Sequence, residues 1–312
     1  MFLRSFALSL QRYAALTSTQ YRKGKTYQHL KTTDKMTRRW KTTWAMRLVC
    51  ITAWAQTEAT QQVKNIQIDR GDRHIKGILM TPEHTTEKQP VVIISHGFNG
   101  THHVGYAYQR TLLDMGCQVL AFDYPCVSLK SSSDNNTMNM SIKDQIADLR
   151  TVMKYAKKLP HADAKRIILI GESQGGFVSA LTTAEVGKEV SALVLVFPAL
   201  CIPNDWNKRY PSLKAIPDTT YLWKVPIGKR FFKELRHINA FDKMKNYKKP
   251  VLIIQGDKDR VVSIEDAQRA TLLYPHAQLH IIKGAGHGFK AKEQEEAQRV
   301  LKKFMQDSVL TR

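Results

Sequence analysis

Short apolar runs alternate with amphipathic stretches along the chain beyond residue 60. The first two runs, 63–69 and 74–80, are separated by the turn sequence Arg70-Gly71-Asp72, which predicts an antiparallel pair of strands. The later runs are unbroken and rich in β-branched residues, and they lie at 91–95, 119–122, 167–170, 192–197, 251–255 and 279–282. Unbroken runs of this kind are typical of strands buried on both faces of a parallel sheet.

Signals for helices fall between these runs. Ser141 and Asp144 form a capping-box pattern before an amphipathic stretch, and Ser263 with Asp266 repeats the pattern before another. A last helix is expected over residues 293–305. Two opening strands followed by repeated strand and helix units predict an α/β fold with a mostly parallel sheet flanked by helices.

One long connection interrupts this rhythm. Residues 199–249 separate two of the apolar runs by several times the usual length of a connection, and the segment is rich in aromatic residues. It is interpreted as a loop that buries its own small core or as a lid over the strand ends, and both interpretations can hold together. We predict a lid-like insertion in which Trp206, Tyr221 and Trp223 contact a substrate.

The first 55 residues differ in composition from the rest of the chain. They contain eleven Lys or Arg and a single acidic residue, Asp34. The stretch from Met36 to Ala55 has a basic start, a short apolar core and small residues before Gln56, which predicts a signal peptide and a periplasmic or secreted protein. An organelle transit peptide and a basic arm on a cytoplasmic protein are the alternatives. The predicted organisation is an extension at 1–55 and an α/β domain at 56–312.

Composition narrows the choice of partners and cofactors. The formal net charge is +21, but about half of the surplus lies in the extension and no nucleic-acid-binding motif accompanies it, so nucleic acid is not an expected partner. The sequence has no apolar run of about 18 residues, so no membrane-spanning helix is expected. The spacing of His102 and His103 does not suit zinc, and no metal is expected. The thiols of the predicted domain are odd in number and are interpreted as free: Cys117, Cys126 and Cys201.

Candidate catalytic residues follow three of the apolar runs. A G-x-S-x-G sequence at 171–175 directly follows one run, and at a strand-to-helix turn it can expose Ser173 as a nucleophile. A serine needs a base, and the base needs a carboxylate to orient it. Asp259 and His287 each follow a later run. Because the carboxyl ends of parallel strands share one edge of the sheet, Ser173, Asp259 and His287 are predicted to form a catalytic triad.

Other acidic and histidine residues are less well placed in the sequence to act in a triad. Asp257 follows a glycine and is interpreted as a turn residue, so Asp259 is favoured as the acid. His276 and His280 lie before or within the last predicted strand rather than after it.

An acyl-transfer site also needs donors for a developing oxyanion. The glycine-bearing loop at 96–100 offers the Phe98 N–H, and the residue after the nucleophile offers the Gln174 N–H, so these two groups are the predicted oxyanion hole. His96, at the foot of the loop, is interpreted as a structural hydrogen-bonding residue.

With these residues in place, the chain resembles the α/β-hydrolase superfamily over residues 62–310. The motifs H-G-F-x-G, G-x-S-Q-G-G, G-D-x-D-x-V-V and G-A-G-H-G-F are most similar to those of the cinnamoyl or feruloyl esterase group. The resemblance implies an eight-stranded sheet, no cofactor, hydrolysis of hydroxycinnamoyl esters, and an insertion that helps to hold the aromatic ring. Glu172 departs from that group, which often has histidine before the serine.

The expected reaction is a two-step acyl transfer through an acyl-enzyme on Ser173. The expected partner is a small-molecule or polysaccharide-linked ester. Three alternatives stay open: an acetyl or general carboxylesterase, an aminopeptidase of the same superfamily, and a binding protein of this fold without turnover. The sequence gives no expectation for the oligomeric state.

Overall fold

The computed structural model describes residues 62–82 and 87–310. An eight-stranded sheet and a separate two-stranded hairpin form the β-structure. The strands are β1 (Gln62–Arg70), β2 (Arg73–Thr81), β3 (Gln89–Ser95), β4 (Gln118–Phe122), β5 (Ala162–Glu172), β6 (Ala192–Val196), β7 (Thr219–Leu222), β8 (Val225–Gly228), β9 (Val251–Gly256) and β10 (Ala277–Ile282). All eight predicted runs are therefore strands of the main sheet.

The main sheet has the strand order β1-β2-β4-β3-β5-β6-β9-β10. Strand β2 runs antiparallel to both of its neighbours, and every pairing from β4 to β10 is parallel. The predicted hairpin turn is confirmed: Arg70 pairs with Arg73, and Gly71 has φ 62°. The prediction of a mostly parallel sheet is confirmed as well. Parallel strands bring their carboxyl ends to one edge, and this edge carries the candidate site.

Both faces of the sheet are covered, which explains the unbroken apolar runs. Ile93 and Leu169 belong to the core cluster on one face, whereas the next residues in the chain, Ile94 and Ile170, belong to the cluster on the other. Successive side chains of a strand point to opposite faces, so a strand buried on both sides needs apolar residues at every position.

Helices lie between the strands as the sequence predicts. They are α1 (Gln109–Leu113), α2 (Ile142–Ala156), α3 (Gln174–Val186), α4 (Ile202–Arg209), α5 (Lys229–Leu235), α6 (Ile264–Leu273) and α7 (Ala291–Met305). Ser141 Oγ accepts a hydrogen bond from Asp144 N at the start of α2, and Ser263 Oγ accepts from Asp266 N at the start of α6. The Asp144 side chain turns away to pair with arginines, so only half of the predicted capping box forms.

The insertion at 199–249 has regular structure of its own. It contains α4, the β7–β8 hairpin, α5 and a short 3₁₀ turn at 244–246. The Trp206 and Tyr210 rings pack on Phe232 with centroids 4.7 and 5.4 Å away. These aromatics join the core cluster on one face of the sheet rather than forming a separate core. A role of the insertion as a lid stays a prediction.

The predicted extension and signal peptide, including Met36–Ala55, lie outside the described residues. Within the described part of the chain, no helix has both the length and the hydropathy that a membrane crossing requires. Cys117 and Cys126 are buried free thiols and Cys201 is a partly exposed one.

Candidate active site

A sharp turn between β5 and α3 holds Ser173. This residue has φ 51° and ψ −118°, a strained backbone conformation for a residue other than glycine. The flanking glycines make the turn possible. A Cβ on Gly171 would lie 2.5 Å from the Gly175 carbonyl oxygen, and one on Gly175 would lie 2.3 Å from that of Ser95. Any larger residue at either position would push the turn apart.

The three residues predicted as a triad lie in hydrogen-bond contact. Ser173 Oγ is 3.0 Å from His287 Nε2, and His287 Nδ1 is 2.8 Å from Asp259 Oδ2. These distances suit the tautomer in which Nδ1–H donates to the carboxylate and Nε2 accepts from the serine hydroxyl. The arrangement can therefore activate Ser173 by transferring its proton to His287.

Asp259 is held from several sides. Its side chain has no solvent exposure, and its Oδ1 accepts from the backbone N–H groups of Val261 and Val262 at 2.8 and 2.9 Å. Burial raises the pKa of Asp259, but hydrogen bonds from His287 and these two N–H groups outweigh burial and leave its pKa below the usual value. Asp259 is thus a fixed carboxylate facing the imidazole.

The competing candidates lie elsewhere. Asp257 Oδ1 accepts from Gly284 N at 2.6 Å, so this carboxylate fastens the loop before His287 and does not contact the imidazole. His280 Nε2 is paired with Glu296 Oε1 at 2.7 Å on the outer strand β10. His276 precedes that strand, and its carbonyl oxygen accepts from Val251 N.

Two free N–H groups lie where the oxyanion hole was predicted. Within the described residues neither Phe98 N nor Gln174 N donates a hydrogen bond, and both residues line the cavity that contains Ser173. Gln174 is the first residue of α3, where backbone N–H groups have no partner within the helix. The loop comes close to the serine because residue 97 is glycine: a Cβ there would lie 3.0 Å from Ser173 Cβ.

His96 lies at the foot of this loop and is 1% exposed. Its Nδ1 is 2.7 Å from the Gly97 carbonyl oxygen, and its Nε2 accepts from Tyr124 N at 3.0 Å. Burial lowers its pKa, which favours the neutral ring that these two contacts require. His96 thus has the structural position that the sequence predicts, joining the loop after β3 to the loop after β4.

Three residues around the site were not predicted as site residues: Phe197, Glu172 and Tyr108. Strand β6 ends at Val196, one residue before the predicted end. The next residue, Phe197, has φ 37°, and its ring packs edge-on against the His287 ring with the ring centroids 4.9 Å apart. Glu172 Oε1 accepts from the buried Tyr108 hydroxyl at 2.5 Å. Burial raises the pKa of Glu172 to about 7, although the Tyr108 hydrogen bond and the His287 charge act in the opposite direction.

A cavity of about 240 Å³, here called the Ser173 cavity, opens beside the serine. Of the predicted substrate contacts, Trp206 and Trp223 line it together with Phe98 and Phe231. Tyr221 does not line it and is 67% exposed. Side chains alternate along β7, so the neighbouring Leu222 faces the cavity and Tyr221 faces solvent.

Apart from Trp206, the wall formed by α4 was not predicted. Ile202, Asp205, Trp206 and Arg209 all line the Ser173 cavity. Their spacing of three, four and seven residues places them on one face of a helix, and this pattern could have identified them from the sequence. Arg209 stacks on the Trp206 ring with the guanidinium carbon 5.2 Å from the ring centroid. The cavity therefore has an aromatic body and one charged side.

Other candidate ligands are dispersed. Within residues 62–82 and 87–310, no group of three or more His, Cys, Asp or Glu side chains is arranged to hold a metal ion. The His102 ring stacks on His103, and His102 Nδ1 is 2.8 Å from the buried carboxylate of Asp123. Cys201 lines the Ser173 cavity, and burial raises the pKa of its thiol, which makes it a poor nucleophile.

Comparison with known proteins agrees with this architecture. Residues 90–225 match the family model described as alpha/beta hydrolase fold. A structure of Est1E from Butyrivibrio proteoclasticus with ferulic acid bound superposes with a TM-score of 0.71 at 28% identity, covering 78% of this chain and 99% of that chain. The chain has the α/β-hydrolase fold.

Curated relatives match over a smaller part of the chain. The quorum-quenching protein AidA of Acinetobacter baumannii (strain MDR-ZJ06) is 28% identical over 136 residues, which are 43% of this chain and 43% of that protein. The acylamino-acid-releasing enzyme of Rattus norvegicus is 24% identical over 218 residues, 64% of this chain and 28% of that protein. The chain spans less than half the length of each of these two relatives.

Proposed function

We propose that this hydrolase is a serine carboxylic-ester hydrolase that acts on hydroxycinnamoyl esters of the feruloyl type. The observation that carries the proposal is the hydrogen-bonded series Ser173, His287 and Asp259 beside a cavity with aromatic walls. Trp206, Trp223 and Phe98 offer flat faces to an aromatic acyl group. The 28% identical structure of Est1E with ferulic acid bound supports the same substrate class.

In the first half of the reaction, Ser173 Oγ attacks the ester carbonyl carbon while His287 Nε2 takes the hydroxyl proton. Asp259 holds the ring in the required tautomer and stabilises the imidazolium. The carbonyl oxygen becomes negatively charged and accepts hydrogen bonds from the N–H groups of Phe98 and Gln174. When the tetrahedral intermediate collapses, His287 protonates the leaving alcohol and the acyl group remains on Ser173.

In the second half, water replaces the alcohol. His287 takes a proton from the water as its oxygen attacks the acyl carbon, and the same two N–H groups stabilise the oxyanion. Collapse of this intermediate releases the acid, and the proton returns from His287 to Ser173 Oγ. No redox step or external group is needed at any stage.

The direct test is hydrolysis of methyl ferulate by the purified protein and by Ser173→Ala. We expect wild-type activity and a fall in kcat of roughly 10⁴-fold or more in the variant, because the nucleophile is removed. Circular dichroism of the variant provides the control for folding. Equal activity of the two proteins would contradict the assignment of Ser173, and labelling of the wild type alone by a fluorophosphonate would support it.

The acyl group is tested with matched esters. Methyl ferulate and methyl acetate report on an aromatic and an acetyl acyl group with the same alcohol. A higher kcat/KM for a hydroxycinnamoyl ester than for the acetyl ester of the same alcohol is expected, because the aromatic walls contact only the larger group. The reverse order would favour an acetyl or general carboxylesterase.

An aminopeptidase is the second candidate, and one observation favours it. Asp205 lines the Ser173 cavity, and a carboxylate in that position could receive the ammonium group of a peptide substrate. The similarity to an acylamino-acid-releasing enzyme favours cleavage of an amide bond but not this role of Asp205, because an acylated amine carries no charge. Release of 4-nitroaniline from an aminoacyl 4-nitroanilide, without hydrolysis of methyl ferulate, would decide for this candidate.

A further inference from the structure

Large apolar side chains are exposed at the mouth of the Ser173 cavity. Trp223, at the tip of the β7–β8 hairpin, is 60% exposed, and Val261, in the loop after β9, is 44% exposed, although both residues line the cavity. Residues that line a cavity and also face solvent border its opening. Tyr221, on the same hairpin, is 67% exposed and does not line the cavity. Exposed apolar groups that cluster around an opening typically mark an interaction surface.

A basic residue is adjacent in the chain to each of the two residues at the opening. Lys224 follows Trp223, Arg260 precedes Val261, and both basic side chains are exposed. Within the described parts of the chain, neither of them forms an ion pair with an Asp or Glu side chain. The five residues Tyr221, Trp223, Lys224, Arg260 and Val261 are here called the docking rim.

The hairpin of the docking rim belongs to the most basic part of the α/β domain. Residues 199–249 contain twelve Lys or Arg and four Asp or Glu, whereas the rest of residues 62–310 contains twenty-four and twenty-one. Inside the Ser173 cavity, the charges of Asp205 and Arg209 offset each other. Lys224 and Arg260 therefore add a positive charge to the opening that is complementary to an anionic surface.

The combination of side chains on the docking rim favours a lipid surface. Trp and Tyr are amphipathic and lie preferentially at the headgroup level of a bilayer, and Lys and Arg are attracted to anionic lipids. Binding of a soluble polyanion requires the basic residues but no exposed Trp223 or Tyr221. An apolar partner would be served by the aromatic residues but gains nothing from Lys224 and Arg260.

We propose that the docking rim binds the surface of an anionic lipid bilayer, with Tyr221 and Trp223 in the headgroup region and Lys224 and Arg260 against the lipid phosphates. The opening of the Ser173 cavity then faces the bilayer, so an apolar ester dissolved in the lipid can enter the cavity directly. This contact is a surface contact and is independent of the acyl group that Ser173 accepts.

Co-sedimentation of the full-length protein with vesicles tests the role of charge. We expect binding to phosphatidylcholine vesicles that contain roughly one-third phosphatidylglycerol, and much weaker binding to pure phosphatidylcholine. Lys224→Gln with Arg260→Gln should weaken binding to the mixed vesicles about 30-fold, because two basic residues at the lipid surface are lost. Arg299→Gln with Lys302→Gln removes the same charge from exposed positions on α7 and is the matched control. Every variant keeps residues 1–55, so their basic residues contribute equally throughout.

The aromatic residues are tested separately. Tyr221→Ala should weaken binding to the mixed vesicles about five-fold, because less apolar area is buried in the lipid interface. Brominated lipids quench tryptophan fluorescence at short range. Vesicles that contain them should quench the wild type, and Trp223→Phe should lose much of this quenching.

Each of these measurements can contradict the proposal. Unchanged binding in both rim variants would overturn it, as would equal binding of the wild type to neutral and mixed vesicles. A loss in the charge variant alone, with Tyr221→Ala and the quenching unaffected, would assign the rim to a soluble polyanion. A dimer in sedimentation velocity that Tyr221→Ala dissociates would assign the rim to a second copy of the chain. None of these measurements uses ester hydrolysis, so they decide the question even if the proposed activity fails.

Discussion

The turn at Ser173 and the turn at Trp223 both hold non-glycine residues at positive φ, but their surroundings differ. Ser173, with φ 51°, is enclosed by glycines that leave no room for a Cβ. Trp223 and Lys224, with φ 49° and 68°, form the tip of the β7–β8 hairpin, and Trp223 is 60% exposed. Close packing imposes the backbone conformation of Ser173, whereas the conformation of Trp223 and Lys224 occurs at the protein surface.

This difference separates the residues that would carry out the reaction from the residues that would select the substrate. The reacting groups lie on strand ends that the sheet holds in place, where a small displacement would break a 3.0 Å contact such as that between Ser173 and His287. The aromatic wall lies on an insertion whose exposed tip can change without disturbing the sheet. We therefore expect substitutions at the strand ends to affect the rate for every substrate, and substitutions on the insertion to affect the choice between substrates.

The largest effect is expected at the carboxylate behind His287. Asp259→Asn should lower kcat/KM for methyl ferulate by roughly 10⁴-fold, because an amide favours the wrong tautomer of the ring. Asp257→Asn is the matched control: it lies two positions away in the same loop, contacts Gly284 N rather than the imidazole, and should cost less than ten-fold. Steady-state kinetics of the two variants check this, and the reverse ranking would assign the acid to Asp257.

A smaller effect, limited to the choice between acyl groups, is expected for substitutions on the β7–β8 hairpin. Trp223 lines the Ser173 cavity and Tyr221, on the same hairpin and similarly exposed, does not. Trp223→Ala should lower the preference for methyl ferulate over methyl acetate about ten-fold, since one aromatic contact with the acyl group is lost. Tyr221→Ala should leave the preference within about two-fold of the wild type. Equal effects of the two substitutions on the preference would show that the hairpin does not select the acyl group.

The same contrast explains what the sequence could predict. Local sequence patterns identify the main-sheet strands and the residues Ser173, Asp259 and His287. Buried strands require unbroken apolar runs, and closely packed turns require glycines. The Phe98 loop is recognisable for the same reason. Whether Leu222 or Tyr221 lines the Ser173 cavity depends on which face of β7 is turned towards it. The position of Phe197 depends on where β6 ends. These are properties of tertiary packing, which a single sequence does not specify locally.

The smallest effect concerns Glu172, which is the last residue of β5 and directly precedes Ser173. Its pKa is raised to about 7 by burial, above the ordinary value, so the folded protein binds this proton more tightly than the unfolded chain does. The stabilisation from the protonated carboxyl is fully present below the unfolded pKa and is lost as pH rises through about 7. Glu172→Gln removes this titration, so the unfolding free energy of the variant relative to the wild type should increase from pH 5 to pH 8.

Urea denaturation of both proteins at pH 5 and pH 8 measures this difference. Glu295→Gln, an exposed glutamate on α7, provides the matched control and should show no such dependence. Because Tyr108 donates to Glu172, Tyr108→Phe would remove one bond to the carboxylate and should further weaken the protein at pH 8 relative to pH 5. A constant difference between wild type and Glu172→Gln across this range would mean that Glu172 does not titrate between pH 5 and 8.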